Sequence, residues 1–218
     1  PTEAIEAYKR AMTLNPNHVE VRCNVGLLLM ARGQLKEATE VFRDALEIEP
    51  THPDAHRNLA EVLSRQGREA EAVAHAQTAV AFDPSNPDSL GILAMALESD
   101  GQRAEAVTLL KTWMKSQPNN PVPAHLLAAW TQQDVPERAS DDFVRLTFDR
   151  FASTFDTVLT SLEYKAPDLA LKAVAGLYPT PDASLEVLDA GCGTGLVGPG
   201  LRPYARTLLG LDLSSQML

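Results

Sequence analysis

Apolar residues over the first 131 positions recur at helical spacing, and the pattern itself repeats. Pro16, Pro50, Pro84 and Pro118 stand 34 residues apart, as do Gly33, Gly67 and Gly101. Ala4, Ala38, Ala72 and Ala106 keep the same step, and so do Ala11, Ala45 and Ala79. The phase gives three full periods, about 19–52, 53–86 and 87–120, preceded by one second helix near 2–14 and followed by one first helix near 121–131. In the first period Val25, Leu28 and Leu29 make a helical stripe. Gly33 supplies a turn with positive φ. A second helix from Leu35 to about Glu49 turns Ala38, Val41, Phe42 and Ala45 inward. Pro50 ends it, and Pro53 opens the next helix where a missing N–H costs nothing. Small residues at Gly26, Ala60, Ala94 and Ala128 let paired helices approach closely. One hairpin cannot bury its own apolar face, so the hairpins must stack into an α-helical solenoid.

The pattern changes after residue 131. Residues 132–140 read as a linker. Ser140 is placed to cap a helix holding Phe143, Phe148, Phe151 and Phe155, four of the six phenylalanines. Another helix starts at Ala166-Pro167-Asp168, runs to about Leu177 and is broken by Tyr178-Pro179-Thr180-Pro181. Leu185 to Leu188 is a short apolar strand, followed by Asp189-Ala190-Gly191-Cys192-Gly193-Thr194-Gly195. A helix over roughly Leu196 to Ala205 and a strand over Thr207 to Leu211, ended by Asp212, complete a β-loop-α-β unit, which binds adenosine-containing ligands at the carboxyl ends of its strands. Two registers compete. Gly193-Thr194-Gly195-Leu196-Val197-Gly198 fits the dinucleotide G-x-G-x-x-G pattern, but its first glycine lies five residues past Leu188. The register Asp189-x-Gly191-x-Gly193-x-Gly195 puts a carboxylate where a ligand with an ammonium and a sulfonium, and no phosphate, is favoured.

The 34-residue step with its small residues resembles the tetratricopeptide repeat family over residues 1 to 131. Two features depart from that pattern. Arg22, His56 and Leu90 replace the family's aromatic near the start of the first helix, and Trp113 stands where other repeats have alanine. Trp113 is expected to fill core at the end of the array. The resemblance implies a concave groove for a protein or peptide partner, lined by first-helix positions such as Glu20, Cys23, Leu27, Asp54, Glu61, Asp88 and Met95. Asn24, Arg57, Asn58 and Arg65 are the candidate peptide-contacting residues among them; Asn24 and Asn58 are equivalent, and Ile92 breaks the ladder in the third repeat.

Leu188-Asp-Ala-Gly-Cys-Gly-Thr-Gly195 resembles the signature loop of the class I S-adenosylmethionine (SAM)-dependent methyltransferases, and Leu211-Asp-Leu-Ser-Ser-Gln-Met-Leu218 resembles their second motif. Phe148-Asp149-Arg150-Phe151-Ala152 and Phe155-Asp156 are similar to the cofactor-covering helix of a subgroup. The resemblance covers residues 141–218 and implies a Rossmann-like α/β fold with SAM as cofactor. It implies that Gly191, Gly193 and Gly195 admit the methionyl part, with Cys192 small between them, and that Asp189 orients its ammonium. Asp212 would accept the ribose hydroxyls, with Leu213 and Met217 toward the adenine. Such a domain has about seven strands, so residues 141–218 are expected to be its N-terminal part only. No catalytic residue is identified, and the chain itself is expected to be an inactive fragment of an enzyme. The alternative is a repeat scaffold with a non-catalytic methyltransferase-like domain.

Charge and composition narrow the partners. The net charge is −10, with −5 on residues 1–133 and −5 on 134–218, and no basic run occurs, which argues against nucleic acid or anionic lipid. Cys23 and Cys192 fall in different domains, so no disulfide framework is supported, and Cys192 has no histidine partner to make it a nucleophile. His52 and His56 flank a helix start and do not share a face, and His18, His75 and His125 lack ligand-like neighbours, so no metal site is expected. The longest apolar stretch, Val25 to Ala31, is too short to span a bilayer and no signal-like segment begins the chain; a cytoplasmic location is expected.

Overall fold

The structure, a computed structural model, describes residues 17–218. The helix expected over 2–14 lies outside them. The chain divides into two units, residues 1–135 and 136–218.

In the first unit the helices are α1 (Val19–Ala31), α2 (Leu35–Ile48), α3 (Pro53–Arg65), α4 (Glu69–Phe82), α5 (Pro87–Ser99), α6 (Arg103–Ser116) and α7 (Pro121–Thr131). Each packs on the next, α1 also meets α3, and α3 meets α5, so neighbouring hairpins stack. Within each hairpin the turn is a glycine in the left-handed region, with φ of 73° at Gly33, 74° at Gly67 and 80° at Gly101. In the first, the Gln34 amide reaches back to the Leu29 carbonyl and the Gly33 amide to Met30, satisfying carbonyls that the helix end leaves open. Between hairpins, Pro53, Pro87 and Pro121 open helices capped by His52, Asn86 and Asn120, whose side chains accept from the first-turn amides.

The core follows the small-residue columns. Ala38, Phe42, Ala45, Leu59, Ala60, Ala72 and Ala76 are fully buried in one cluster. A Cβ on Gly26 would overlap the Phe42 ring. The equivalent pairs one and two repeats on are Ala60 with Ala76 and Ala94 with Leu110. Glycine therefore stands opposite the largest partner, and alanine opposite smaller ones. Trp113 is 2% exposed and packs with Leu90, Ala94 and Leu110 against Val122, Leu126 and Trp130, closing the core under α7. Its indole N–H donates to Gln117 Oε1 at 3.0 Å.

His56, in the family's aromatic slot, has a partner that the sequence spacing hides. Its Nε2 lies 2.9 Å from the Pro50 carbonyl oxygen. A carbonyl only accepts, so the proton sits on Nε2 and Nδ1 is an acceptor. His75 of α4 supplies the donor, its Nδ1 3.0 Å away. Phe82 stacks on His56. The expectation that His75 has no ligand-like neighbour is corrected here: the two imidazoles are brought together by helix pairing, across 19 residues of sequence. Burial holds the His75 pKa below its ordinary value, and His56 and Arg43 add to this while Glu71 opposes it.

The second unit contains α8 (Asp141–Phe151), a 3₁₀ turn (Ala152–Thr154), α9 (Phe155–Ser161), α10 (Ala166–Leu177), β1 (Leu185–Ala190), α11 (Gly198–Leu201) and β2 (Ala205–Leu211). Ser140 caps α8, its hydroxyl oxygen accepting from the Phe143 amide at 3.2 Å. The strands pair in parallel, with Leu188 opposite Leu209 and Ala190 opposite Leu211. Two expectations are corrected. The single aromatic helix is broken at Ala152–Thr154, where the Thr154 hydroxyl turns onto the Phe151 carbonyl and competes with the helical ladder. The helix expected over Leu196–Ala205 is only four residues long, because Gly198, Pro199, Gly200 and Pro203 are all poor helix residues. Burial is sparse in this unit, with only Leu201, Ala205, Ser214 and Met217 buried among the described residues. Leu188, Leu209 and Leu211, on one sheet face, are each more than half exposed.

Two outcomes test the first unit. Gly26→Ala costs about 1–3 kcal/mol in denaturant unfolding through overpacking, and adding Phe42→Leu recovers most of it; equal stability of Gly26→Ala and the native chain contradicts the packing account. The depressed His75 pKa gives stability that is fully present above the unfolded value, about 6.5, and is lost as the pH falls below it. The urea midpoint of the repeats therefore drops as the pH is lowered from about 7 to about 5. His75→Asn, which can still donate to His56, flattens that part of the profile.

Candidate functional site

The glycine loop begins where β1 ends. Gly191, Gly193 and Gly195 all have positive φ, at 81°, 53° and 78°. The chain there turns three times through a region that disfavours a Cβ. Gly191 and Cys192 donate their amides to the Leu211 carbonyl at 2.7 and 3.0 Å, which keeps the loop in register with β2. Gly210 sits under the loop: a Cβ there would lie 2.8 Å from Cys192 Sγ. The result is a cleft of about 230 Å³ at the carboxyl end of β1. Asp189, Gly191, Cys192 and Gly193 form one side, and Phe155, Leu159, Tyr164, Ala166, Pro167, Ala170, Leu196 and Val197 form the rest.

Asp212, at the tip of β2, ties the two loops together. Its Oδ2 accepts the Gly193 amide at 2.8 Å and its Oδ1 accepts the Ser214 amide at 2.9 Å. Each carboxylate oxygen keeps a second lone pair for another donor. Further bonds come from the helical segment before the sheet. The Thr194 hydroxyl donates to Asp156 Oδ1 at 2.5 Å, and the Ser214 hydroxyl donates to Asp149 Oδ1 at 2.6 Å. The Phe155 ring stands edge-on to Phe148 and Phe151, with centroids 6.4 and 5.4 Å away. It lies against Gly193, 3.4 Å from where a Cβ would be.

Of the sequence-derived cofactor residues, the structure brings Asp189, Gly191, Cys192 and Gly193 into one cleft and joins Asp212 to them through Gly193. Gly195 and Leu213 do not line it, and Met217 is 4% exposed, packed inside the unit. The sequence did not point to Tyr164 and Pro167 as cleft lining, and it placed Asp149 and Asp156 in a covering helix without their hydrogen bonds to Ser214 and Thr194. The signal for these two aspartates was present in the two Phe-Asp dipeptides at 148–149 and 155–156, two helical turns apart.

In the repeats, Asn24 is exposed but Asn58 is 2% exposed, with its Oδ1 3.5 Å from an Arg57 guanidinium nitrogen. The two equivalent asparagines thus present different surfaces. Arg57 is ion-paired with Asp54 at 2.7 Å and Arg65 with Glu61 at 2.5 Å. Leu27 and Met95, at the position equivalent to Glu61, are the exposed apolar side chains of this face.

Two family models described as tetratricopeptide repeat match the chain, one over residues 29–78 and 63–129, the other over 1–53. Together they span residues 1–129, and this part of the chain is made of tetratricopeptide repeats. Among solved structures, a crystal structure of MamA is similar at 20% identity and TM-score 0.54, over 59% of this chain and 75% of that one. A thermophilic TPR protein of Thermus thermophilus is similar at 19% identity and TM-score 0.54, over 59% and 71%. At such identities they establish the helical solenoid fold alone. Methyltransferase-like protein 27 of Homo sapiens is 42% identical over 72 residues, 33% of this chain. That match spans 29% of the length of the human protein. Among the described residues no helix is long and apolar enough to cross a membrane.

Both thiols are held in the neutral form. Burial pushes the Cys23 pKa up to about 11, with Asp54 and Glu20 adding to it. Burial, Asp189 and Asp212 raise that of Cys192. Reaction with iodoacetamide at neutral pH is therefore slower at Cys192 than in a free peptide, and Cys23 reacts only once the repeats unfold. Mass-spectrometric alkylation kinetics check this, and rapid labelling of Cys23 in the folded chain contradicts it.

Proposed function

We propose that residues 141–218 belong to a class I SAM-dependent methyltransferase domain, and that the repeat array of residues 1–131 brings it a protein or peptide partner. The observation that carries the reading is the Asp189 carboxylate lining the cleft beside Gly191 and Gly193 at the carboxyl end of β1. A carboxylate there suits an ammonium or sulfonium and repels a phosphate. The short likeness to methyltransferase-like protein 27 supports the same direction.

The dinucleotide register is disfavoured on the same ground. Its pyrophosphate would rest on the amino end of α11, which has only four residues and opens with Gly198-Pro199, beside the Asp189 and Asp212 carboxylates. Bound SAM supplies an electrophilic methyl group on a positive sulfur. Asp189 holds the ammonium end, and the spare lone pairs of Asp212 take ribose hydroxyls while its occupied ones keep the two loops in place. Gly191 and Gly193 let backbone come close, and Phe155, Leu159 and Leu196 keep water off that side. Transfer of a methyl group depends on in-line approach more than on a protein nucleophile. For the array, exposed Leu27, Met95 and Asn24 with the Glu61–Arg65 pair fit a peptide having apolar and charged side chains.

Isothermal calorimetry on the protein carrying this chain gives binding of SAM or S-adenosylhomocysteine and none of NAD. Asp189→Ala weakens that binding by about tenfold or more, the loss of one charge-assisted contact. Tight NAD binding without SAM binding establishes the dinucleotide register instead. SAM binding with no methyl transfer to any partner captured by the repeats favours the non-catalytic scaffold.

A further inference from the structure

The two loops and the helical segment form a closed hydrogen-bonded ring. Starting at Asp156, the links run to the Thr194 hydroxyl, along the backbone to the Gly193 amide and to Asp212. They continue through the Ser214 amide and hydroxyl to Asp149 and return along α8 and α9 to Asp156. Ser214 is fully buried and spends its amide on one carboxylate and its hydroxyl on another. We propose that Asp149 and Asp156 are positioning residues. Each holds the hydroxyl of one loop, so that the loop after β1 and the loop after β2 move as one body with the segment carrying Phe155. For its ligand this inference rests on the methyltransferase reading, while the ring itself does not.

The geometry explains why both carboxylates are needed. Hydrogen bonds from hydroxyl to carboxylate are among the stronger ones, and here each spans elements distant in sequence, 38 residues for Thr194 to Asp156 and 65 for Ser214 to Asp149. Asp212 couples them, since it takes an amide from each loop. Loosening Ser214 from Asp149 therefore loosens Gly193, although the Asp149 carboxylate bonds to the other loop. Phe155 follows, because its ring bears on Gly193. With the ring closed, the wall formed by Phe155 and Leu159 stands over Asp189 and the cleft is shaped. With it open, a ligand enters or leaves.

Amide hydrogen exchange with mass-spectrometric readout of the 218-residue chain, without cofactor, tests the coupling. Asp149→Ala speeds exchange of the peptide containing Gly191–Gly195, in the other loop, by about tenfold, the change expected for losing one such bond. Thr194→Val does the same to the peptide containing Ser214, while Thr194→Ser, which keeps the hydroxyl, leaves both peptides at native rates. Circular dichroism confirms that each variant retains its helices, and Ser214→Ala combined with Asp149→Ala adds nothing beyond either change alone. Exchange that rises only in the loop directly touched overturns the ring. Stopped-flow displacement of S-adenosylhomocysteine from the protein carrying this chain then separates the two readings. A faster off-rate in Asp149→Ala and Thr194→Val, with Thr194→Ser native, supports the positioning role; an unchanged off-rate with a bound adenosyl ligand overturns it. If exchange is coupled and the native protein binds no adenosyl ligand, the methyltransferase reading fails and the ring stands.

Discussion

Neither a helical hairpin nor a pair of parallel strands can cover its own apolar surface, and the organisation of this chain follows from that constraint. In the repeats the constraint is met by stacking. Alanine columns bring helices together, Phe42 fills the notch left by Gly26, and Trp113 fills the last gap under α7. Contacts run between neighbouring helices, so each hairpin needs only the next one. The β-loop-α-β unit meets the constraint on one side only. Leu188, Leu209 and Leu211 remain open on the other, whereas parallel sheets are ordinarily covered on both faces.

What the second unit lacks in buried apolar surface it partly replaces with directed polar contacts. Three aspartates, Asp149, Asp156 and Asp212, take the amides and hydroxyls of the two loops, and a fourth, Asp189, faces the cleft. Their common charge gives the site its chemical bias toward cations. Burial, with the Asp189 and Asp212 charges adding to it, raises the Cys192 thiol and keeps it unreactive. The glycines follow from the same arrangement. Gly193 is flanked by the Asp212 carboxylate on its amide and by the Phe155 ring where a side chain would begin.

Periodic features were legible in the sequence because each depends on residues close along the chain. The 34-residue step, the left-handed glycines and the helix-opening prolines are local, and helices α1 to α7 follow them closely. Features that depend on distant residues were not legible. His56 and His75 meet only after α3 and α4 pair, and Asp149 meets Ser214 across most of the second unit. Asn58 reads as a groove residue by its phase with Asn24, yet packing in the middle of the array buries it. The Ala152–Thr154 break and the four-residue α11 show a different limit. There, local competition from hydroxyl, glycine and proline residues overrode an apolar pattern that favoured longer helices.

The loop after β1 is proposed as a cradle for an adenosyl ligand that carries an ammonium, with Asp189 and Asp212 at its two ends. A crystal structure of the protein carrying this chain, grown with S-adenosylhomocysteine and separately with NAD, measures it most directly. The account predicts density in the first crystal only, with the amino group near Asp189, the backbone of Gly191 and Gly193 along the amino-acid portion, and the ribose hydroxyls on Asp212. A pyrophosphate seated over Gly193–Gly198 in the second crystal, with the S-adenosylhomocysteine crystal empty at Asp189, would contradict it.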